Sequence, residues 1–111
     1  MDISTRMQNG VTLVVFAGSL DSNTSPKAQQ EIDGVLAAGA RKVAIDCTAL
    51  DYISSAGLRV LLGAAKRLGG GAAGGLRLFG LNETVREVFD ISGFSTILAV
   101  FGSEADALRG F

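Results

Sequence analysis

Apolar and polar positions alternate with two different periods along the chain. A weak period-two pattern at residues 3–7 is followed by Asn9-Gly10, which is typical of a two-residue hairpin turn, and then by a β-branched apolar run at residues 11–16. Beyond a polar loop, apolar side chains recur at helical spacing over residues 26–38. The pattern predicts an opening β-hairpin that is followed by a helix.

The ends of this first helix are marked by residues that favour helix termini. Ser25 suits the N-cap, Pro26 the first helical position and Gly39 the position after the last turn. The apolar face of the helix is predicted to consist of Ala28, Ile32, Val35 and Leu36.

At the centre of the chain a short apolar run leads through a polar loop into a second helix. The run at residues 43–45 is typical of a strand that is covered on both faces, and the helix is predicted over about residues 57–68. Ser54 and Ser55 lie at the turn, where the unpaired N–H groups of a helix start and its partial positive charge would stabilise a phosphate. From the residues alone, helix capping is the simpler role for both hydroxyls.

The remaining residues continue the alternation of strands and helices. A strand is predicted at residues 76–79, a helix at 83–91 that Asn82 caps, a strand within 93–101, and a short helix that begins at Ser103. The chain therefore predicts an α/β fold: a mixed sheet of four to five strands with an N-terminal hairpin, right-handed crossovers and about four helices.

Glycine and alanine make up the segment at residues 69–75. Its spacing matches a dinucleotide-binding glycine fingerprint, but that motif follows a strand and opens a helix, whereas this segment follows a helix and leads into a strand. No Lys-Ser or Lys-Thr pair follows that would make it a P-loop. A flexible connection is the better interpretation.

Charge and composition exclude several classes of function. With 10 basic and 11 acidic residues, the net charge of −1 gives no general field that would attract nucleic acid or an anionic membrane. The chain has no histidine, which excludes a Ser-His-Asp triad, a Cys-His dyad and any His-ligated metal site. We therefore expect neither catalytic residues, nor a metal, nor a cofactor.

Length and the single cysteine indicate where the protein works. The 111 residues fit a single domain over residues 1–111, and no apolar run approaches the roughly 20 residues that span a bilayer. Cys47 permits no internal disulfide, and its apolar neighbours indicate a reduced, partly buried thiol. We expect a cytoplasmic protein.

The outward face of the central helix presents Arg59, Gly63 and Lys66 as one stripe. Two interpretations are open: a helix face that only meets water, or a docking surface that the loop at Ser54 and Ser55 completes. Gly63 costs roughly 1 kcal/mol of helix stability relative to alanine, and its small size would admit another backbone closely.

Three short motifs stand at the ends of predicted elements. They are Gly18-Ser-Leu20-Asp21 after the second strand, Tyr52-Ile-Ser-Ser-Ala-Gly-Leu58 after Ile45-Asp46, and Phe89-Asp-Ile-Ser-Gly-Phe94. Together they resemble the sulphate-transporter and anti-sigma-factor-antagonist domains, known as STAS domains, and especially the free-standing bacterial anti-sigma factor antagonists. The similarity extends over nearly the whole chain, and the middle motif is the most specific.

The resemblance implies a phosphorylation site and its partners. Ser55, two residues before the Gly-Leu of the helix start, would be phosphorylated by a GHKL-type serine kinase that is also an anti-sigma factor, and a PP2C-like phosphatase would reset it. Many members have Asp where this chain has Ser54, so Ser54 stays open as the alternative, less favoured phosphorylation site. Asp21 is either a loop cap or, as the family implies, a carboxylate beside the phosphorylation site. Asp46 is either a strand-end turn residue, which we favour, or part of the same acidic rim.

Two functions are compatible with these features, and a third is disfavoured. The first is a partner-switching anti-sigma factor antagonist that binds the kinase when unphosphorylated and releases it when phosphorylated. The alternative is a cytoplasmic STAS accessory domain of a transporter or lipid-trafficking complex. An enzyme with Ser55 as nucleophile is disfavoured, because Ile53 stands where a nucleophile elbow needs glycine and no histidine base is present. The expected partner-binding residues are Asp21, Ser54, Ser55, Arg59, Gly63 and Lys66, with no direct contact to nucleic acid or membrane.

Overall fold

The computed structural model describes residues 1–69 and 75–111. Its elements in chain order are β1 (Asp2–Gln8), β2 (Val11–Leu20), α1 (Ser25–Ala37), β3 (Val43–Ile53), α2 (Ser55–Arg67), β4 (Leu76–Phe79), α3 (Glu83–Ile91), a 3-10 turn (Phe94–Thr96), β5 (Ala99–Phe101) and α4 (Glu104–Leu108). The predicted α/β fold is confirmed over these two ranges. Most of the glycine-rich segment, predicted to be a flexible connection, lies outside the described residues, at 70–74.

The strands form one mixed sheet, in the order β1-β2-β3-β4-β5 over the described ranges. β1 and β2 pair antiparallel around Asn9-Gly10, whose φ angles of 53° and 80° suit an Asn-Gly hairpin turn. The pairs β2–β3, β3–β4 and β4–β5 are parallel. Because parallel strands end at the same edge of a sheet, the loops that follow β2 and β3 leave the sheet side by side.

The main core lies between the sheet and the helices α1, α2 and α3. Large side chains from strands and helices meet there with no exposure to solvent, among them Phe16, Leu20, Ile45, Leu61 and Leu78. On α1, Ala28 and Ile32 are buried, and Val35 and Leu36 are half-buried and pack against the same core. All four residues of the predicted apolar face of α1 therefore contact the core.

A smaller cluster on the other face of the sheet lies under α4. Its buried members are Val11, Leu13, Ala44, Phe79 and Ala107. Arg77 of β4 holds the C-terminal segment there, because its guanidinium donates hydrogen bonds of 2.9 Å to the carbonyl oxygens of Ala107 and Arg109. The same group lies 4.2 Å from the centroid of the Phe111 ring, a cation–π contact.

Two predicted boundaries at strand ends are wrong. Asp46 was predicted to be a strand-end turn residue, but β3 continues beyond it to Ile53. Pairing of β3 with the short strand β4 ends at Asp46, which faces Phe79, whereas pairing with β2 continues as far as Ile53. The strand predicted within residues 93–101 is shorter, because Phe94–Thr96 forms a 3-10 turn and only Ala99–Phe101 pairs with β4.

Two predicted helix starts are also displaced. Ser25 is the first residue of α1 rather than its cap: Thr24 holds the cap position, and the Ser25 hydroxyl donates to the Asp21 carbonyl oxygen at 2.5 Å. The second helix, α2, begins at Ser55, two residues before the predicted start.

Candidate functional site

The turn from β3 into α2 is tied to the end of β2. Ile53, the last residue of β3, pairs with Leu20, the last residue of β2. The next residue, Ser54, donates its backbone N–H to the Leu20 carbonyl oxygen at 2.9 Å. Since Asp21 follows Leu20 and Ser55 follows Ser54, the two loops that carry the expected site residues begin side by side.

The two serines have different roles in the structure. Ser54 is the N-cap of α2: its Oγ accepts a hydrogen bond from the Gly57 backbone N–H at 3.4 Å, and the residue is half-buried. Ser55 is the first helical residue and is exposed, and its hydroxyl makes no hydrogen bond to any residue in ranges 1–69 and 75–111. The capping role therefore belongs to Ser54, and the Ser55 hydroxyl is open to solvent.

Gly57 allows the start of α2 to approach both strand ends. A Cβ atom on Gly57 would lie 2.7 Å from Leu20 Cγ and 2.8 Å from Ile53 Cγ1. Contacts this short do not occur between real side chains, so a larger residue would displace the helix start. The next residue, Leu58, is buried in the core. The Gly-Leu pair of the motif thus fixes where α2 begins and where the two serines stand.

Asp21 is held within its own loop. One carboxylate oxygen, Oδ1, accepts hydrogen bonds from the backbone N–H groups of Asn23 at 2.9 Å and Thr24 at 3.1 Å. The Thr24 hydroxyl donates in turn to the Ser19 carbonyl oxygen at 2.8 Å. These contacts give Asp21 the role of a loop cap, and the register of β2 against β3 places this loop next to the serines.

The outward face of α2 is open along its length. Arg59 and Lys66 are exposed, and a Cβ on the half-buried Gly63 would meet nothing within 4 Å. The side chains of Arg59 and Lys66 have no hydrogen-bond or ion-pair partner in the described part of the chain. Arg67, in contrast, pairs with Asp33 of α1, and this hydrogen bond lowers the pKa of the Asp33 carboxyl. The predicted stripe is therefore a continuous solvent-facing surface.

Tyr52 is exposed near the end of β3, two residues before Ser54, and the sequence did not indicate this exposure. β3 has one residue more than β2 at this point, since Gly18 pairs with Leu50 but Ser19 pairs with Tyr52. Regular alternation would bury Leu50 and Tyr52 on the same face, but the extra residue, Asp51, breaks it. Tyr52 is consequently 46% exposed, although Leu50 is buried. The only available signal was that an aromatic residue begins the specific motif.

Cys47 was predicted to be a reduced, partly buried thiol. It is more deeply buried than predicted, with 1% of its surface exposed, and this burial raises the pKa of its thiol.

Across residues 1–69 and 75–111, no three Cys, Asp or Glu side chains are grouped so that they could hold a metal ion. Of the helices in these ranges, none is both long and apolar enough for a bilayer crossing.

Comparison with known proteins gives matches over most of the chain. Residues 2–107 match the family model of the STAS domain. BtrV of Bordetella bronchiseptica, which is provisionally named an anti-sigma factor antagonist, is 40% identical over 103 residues, or 93% of this chain and 88% of BtrV.

Two solved structures share the fold. The crystal structure of an anti-sigma factor antagonist from Mycobacterium paratuberculosis has a TM-score of 0.87 at 24% identity, covering 96% of this chain and 90% of that one. The phosphorylated form of the Bacillus cell fate determinant SpoIIAA has a TM-score of 0.69 at 22% identity, covering 96% of each chain.

Proposed function

The chain belongs to the STAS domain family, and from this premise we propose that it is an anti-sigma factor antagonist switched by phosphorylation of Ser55. The unphosphorylated domain binds a GHKL-type serine kinase that also acts as an anti-sigma factor, which frees the client of that factor. Phosphorylation by the kinase ends the complex, and a PP2C-like phosphatase restores binding. The observation that carries the proposal is the exposed Ser55 at the start of α2, whose hydroxyl has no hydrogen-bond partner in the described part of the chain and lies beside an open helix face.

Accessibility favours Ser55 over Ser54 as the phosphorylated residue. A kinase needs a hydroxyl that reaches its active site, whereas Ser54 is half-buried and its hydroxyl accepts the Gly57 N–H. A phosphate on Ser55 would stand at the positive end of α2, which favours negative charge. SpoIIAA, which has the same fold, has been solved in a phosphorylated form.

The partner is proposed to bind the surface formed by the two loops and the outer face of α2. Its members are Asp21, Tyr52, Ser54, Ser55, Arg59, Gly63 and Lys66. Gly63 keeps the middle of this surface flat, because nothing projects above the helix backbone there. A phosphate on Ser55 adds about two negative charges at one end of the surface, where a partner that fits a neutral hydroxyl would have to desolvate them.

No catalysis by this chain is needed in the proposed switch. The chain has no histidine that could act as a base to activate Ser55 as a nucleophile, and its one cysteine, Cys47, is buried in the core. The domain alone is expected to show no hydrolase, transferase or ATPase turnover. Reproducible turnover that disappears in Ser55→Ala would contradict this expectation.

The proposal is tested by affinity capture from the native cell with the wild-type domain as bait. We expect a serine kinase of the GHKL class among the captured proteins, and calorimetry with the purified kinase should show binding that is lost after incubation with ATP. Ser55→Ala should keep its binding under the same conditions. A kinase that binds the phosphorylated domain as tightly as the unmodified one would refute the switch, and capture of a membrane permease instead would favour the accessory-domain alternative.

A further inference from the structure

We propose that Arg59 is the counter-ion of phosphorylated Ser55, so that phosphorylation withdraws a cation from the partner-binding surface as well as adding negative charge to it. The inference rests on the proposed function, since it takes Ser55 as the modified residue. It adds a second element to the switch: the same arginine contacts the partner in one state and the phosphate in the other.

The spacing of the two residues on α2 supports this pairing. Ser55 and Arg59 are four residues apart in the helix, and both are exposed. Side chains at positions i and i+4 lie on one helix face with Cβ atoms about 5–6 Å apart. Because Cα–Cβ bonds tilt toward the helix N-terminus, the Arg59 side chain leans back toward Ser55. An anion placed N-terminal to a cation at this spacing is the favoured order.

Arg59 is also available for such a contact. Its guanidinium has no hydrogen-bond or ion-pair partner among the residues that the structure describes. The other cations of α2 are not equivalent to it: Lys66 lies eleven residues from Ser55, roughly 16 Å along the helix axis, and Arg67 is paired with Asp33. Of the three cationic residues of α2, Arg59 is the one that lies within about one turn of Ser55.

The charges around Ser55 make a counter-ion useful. The nearest acidic residue along the chain is Asp51, and the register of β2 with β3 brings the Asp21 loop to the same edge. Both carboxylates oppose an added phosphate. A guanidinium binds phosphate with two parallel hydrogen bonds, so Arg59 is suited to offset this repulsion.

The geometry distinguishes the two serines. Residue 54 precedes the helix and is five positions from Arg59, so it does not share the i,i+4 relationship. A phosphate on Ser54 would also sit on the oxygen that accepts the Gly57 N–H, at the cap of α2 rather than on its outward face. Pairing with Arg59 is therefore expected for phosphorylated Ser55 and not for phosphorylated Ser54.

The experiment places phosphoserine at residue 55 during translation, so that neither kinase nor partner is required. Phosphorus NMR then gives the second pKa of the phosphate in the full chain at low salt. We expect this pKa to be higher in Arg59→Gln than in wild type by about 0.15 to 0.4 unit, which is the energy of an i,i+4 ion pair converted at 1.36 kcal/mol per unit. High salt should diminish the difference.

Three matched proteins complete the test. Lys66→Gln removes the same charge from the same helix and should leave the phosphate pKa unchanged, whereas Arg59→Lys should restore part of the wild-type value. In a chain with phosphoserine at residue 54, the pKa should not respond to Arg59→Gln. Equal pKa values in wild type and Arg59→Gln, or equal effects of Arg59→Gln and Lys66→Gln, would overturn the inference. If the kinase modifies another residue, the proposed function fails, yet this titration still reports whether Arg59 contacts the phosphate.

Discussion

Gly57 lies so close to Leu20 that a Cβ on the glycine would stand 2.7 Å from Leu20 Cγ and 2.8 Å from the Leu20 carbonyl oxygen. The same carbonyl oxygen accepts the Ser54 N–H at 2.9 Å. One residue at the end of β2 thus contacts the loop and the first turn of α2. The position of the two serines is fixed by packing and backbone hydrogen bonding against the sheet.

This packing predicts opposite effects for the same substitution at two glycines of α2. Gly57→Ala should destabilise the domain by about 1–3 kcal/mol, because the new methyl group cannot fit between Leu20 and Ile53. Gly63→Ala is the matched control: its Cβ meets open space, so the higher helix propensity of alanine should raise the free energy of unfolding by up to about 1 kcal/mol. Urea denaturation of both variants measures these changes. Similar stabilities would show that the Gly57 contact has no energetic importance.

The fold could be predicted largely because its signals are local. Asn9-Gly10 forms the hairpin turn, and Asn82 caps α3 by accepting the Val85 N–H at 2.8 Å, both as predicted. The errors arose where the outcome depends on a distant strand. The length of β3 is set by its pairing with β2, and the exposure of Tyr52 is set by an extra residue of β3 in that pairing. The local pattern of apolar and polar residues gives no information about either pairing feature.

The candidate site was only partly predictable for a similar reason. Serine at both positions 54 and 55 suits a helix start, so the sequence left the capping role open between them. The choice depends on where the helix begins, and the close contact of Gly57 with Leu20 fixes that point. The family resemblance placed the phosphate on Ser55, and the structure adds that its hydroxyl is the exposed one of the two.

The outer face of α2 gives a prediction about partner binding. Arg59→Glu and Gly63→Leu should each weaken binding of the kinase about fivefold or more, roughly 1 kcal/mol. Arg59→Glu reverses the charge of a side chain that is expected to contact the kinase, and Gly63→Leu adds a bulky side chain where the surface is flat. The fold should remain nearly intact, since both positions face solvent and leucine has the better helix propensity.

Calorimetry with the purified kinase measures this effect. Arg41→Glu is a suitable control, because Arg41 is exposed and lies just before β3 begins, at the sheet edge opposite Ser55. Unchanged affinity in both α2 variants would place the docking surface elsewhere on the domain.

The burial of Cys47 predicts a thiol that is inert in the folded protein. Burial raises its pKa, so at pH 8 it stays protonated, and the reactive thiolate is absent from the folded state. A thiol reagent such as DTNB should therefore label the protein slowly in buffer and stoichiometrically at once in denaturing urea. Rapid labelling of the folded domain would mean that β3 opens readily at this position.

The last prediction concerns the residue that receives the phosphate. The exposed Ser55 hydroxyl should be phosphorylated by the cognate kinase, whereas Ser54, half-buried and bonded to the Gly57 N–H, should not. Ser55→Ala should bind the kinase constitutively, because a small neutral side chain preserves the surface. Ser55→Asp should block binding only in part, because it carries one charge rather than about two.

Mass spectrometry after incubation with the kinase and ATP decides between the two serines. Ser54→Ala should still be phosphorylated on Ser55, although loss of the cap should cost about 1 kcal/mol of stability. Ser54→Gly is the better control, because glycine at an N-cap costs only a few tenths of a kcal/mol and removes the same hydroxyl. Phosphate that maps to Ser54 and persists in Ser55→Ala would show that the kinase reaches the capping hydroxyl. The start of α2 would then have to open during the reaction, because Ser54 is tied to both Leu20 and Gly57 in the folded state.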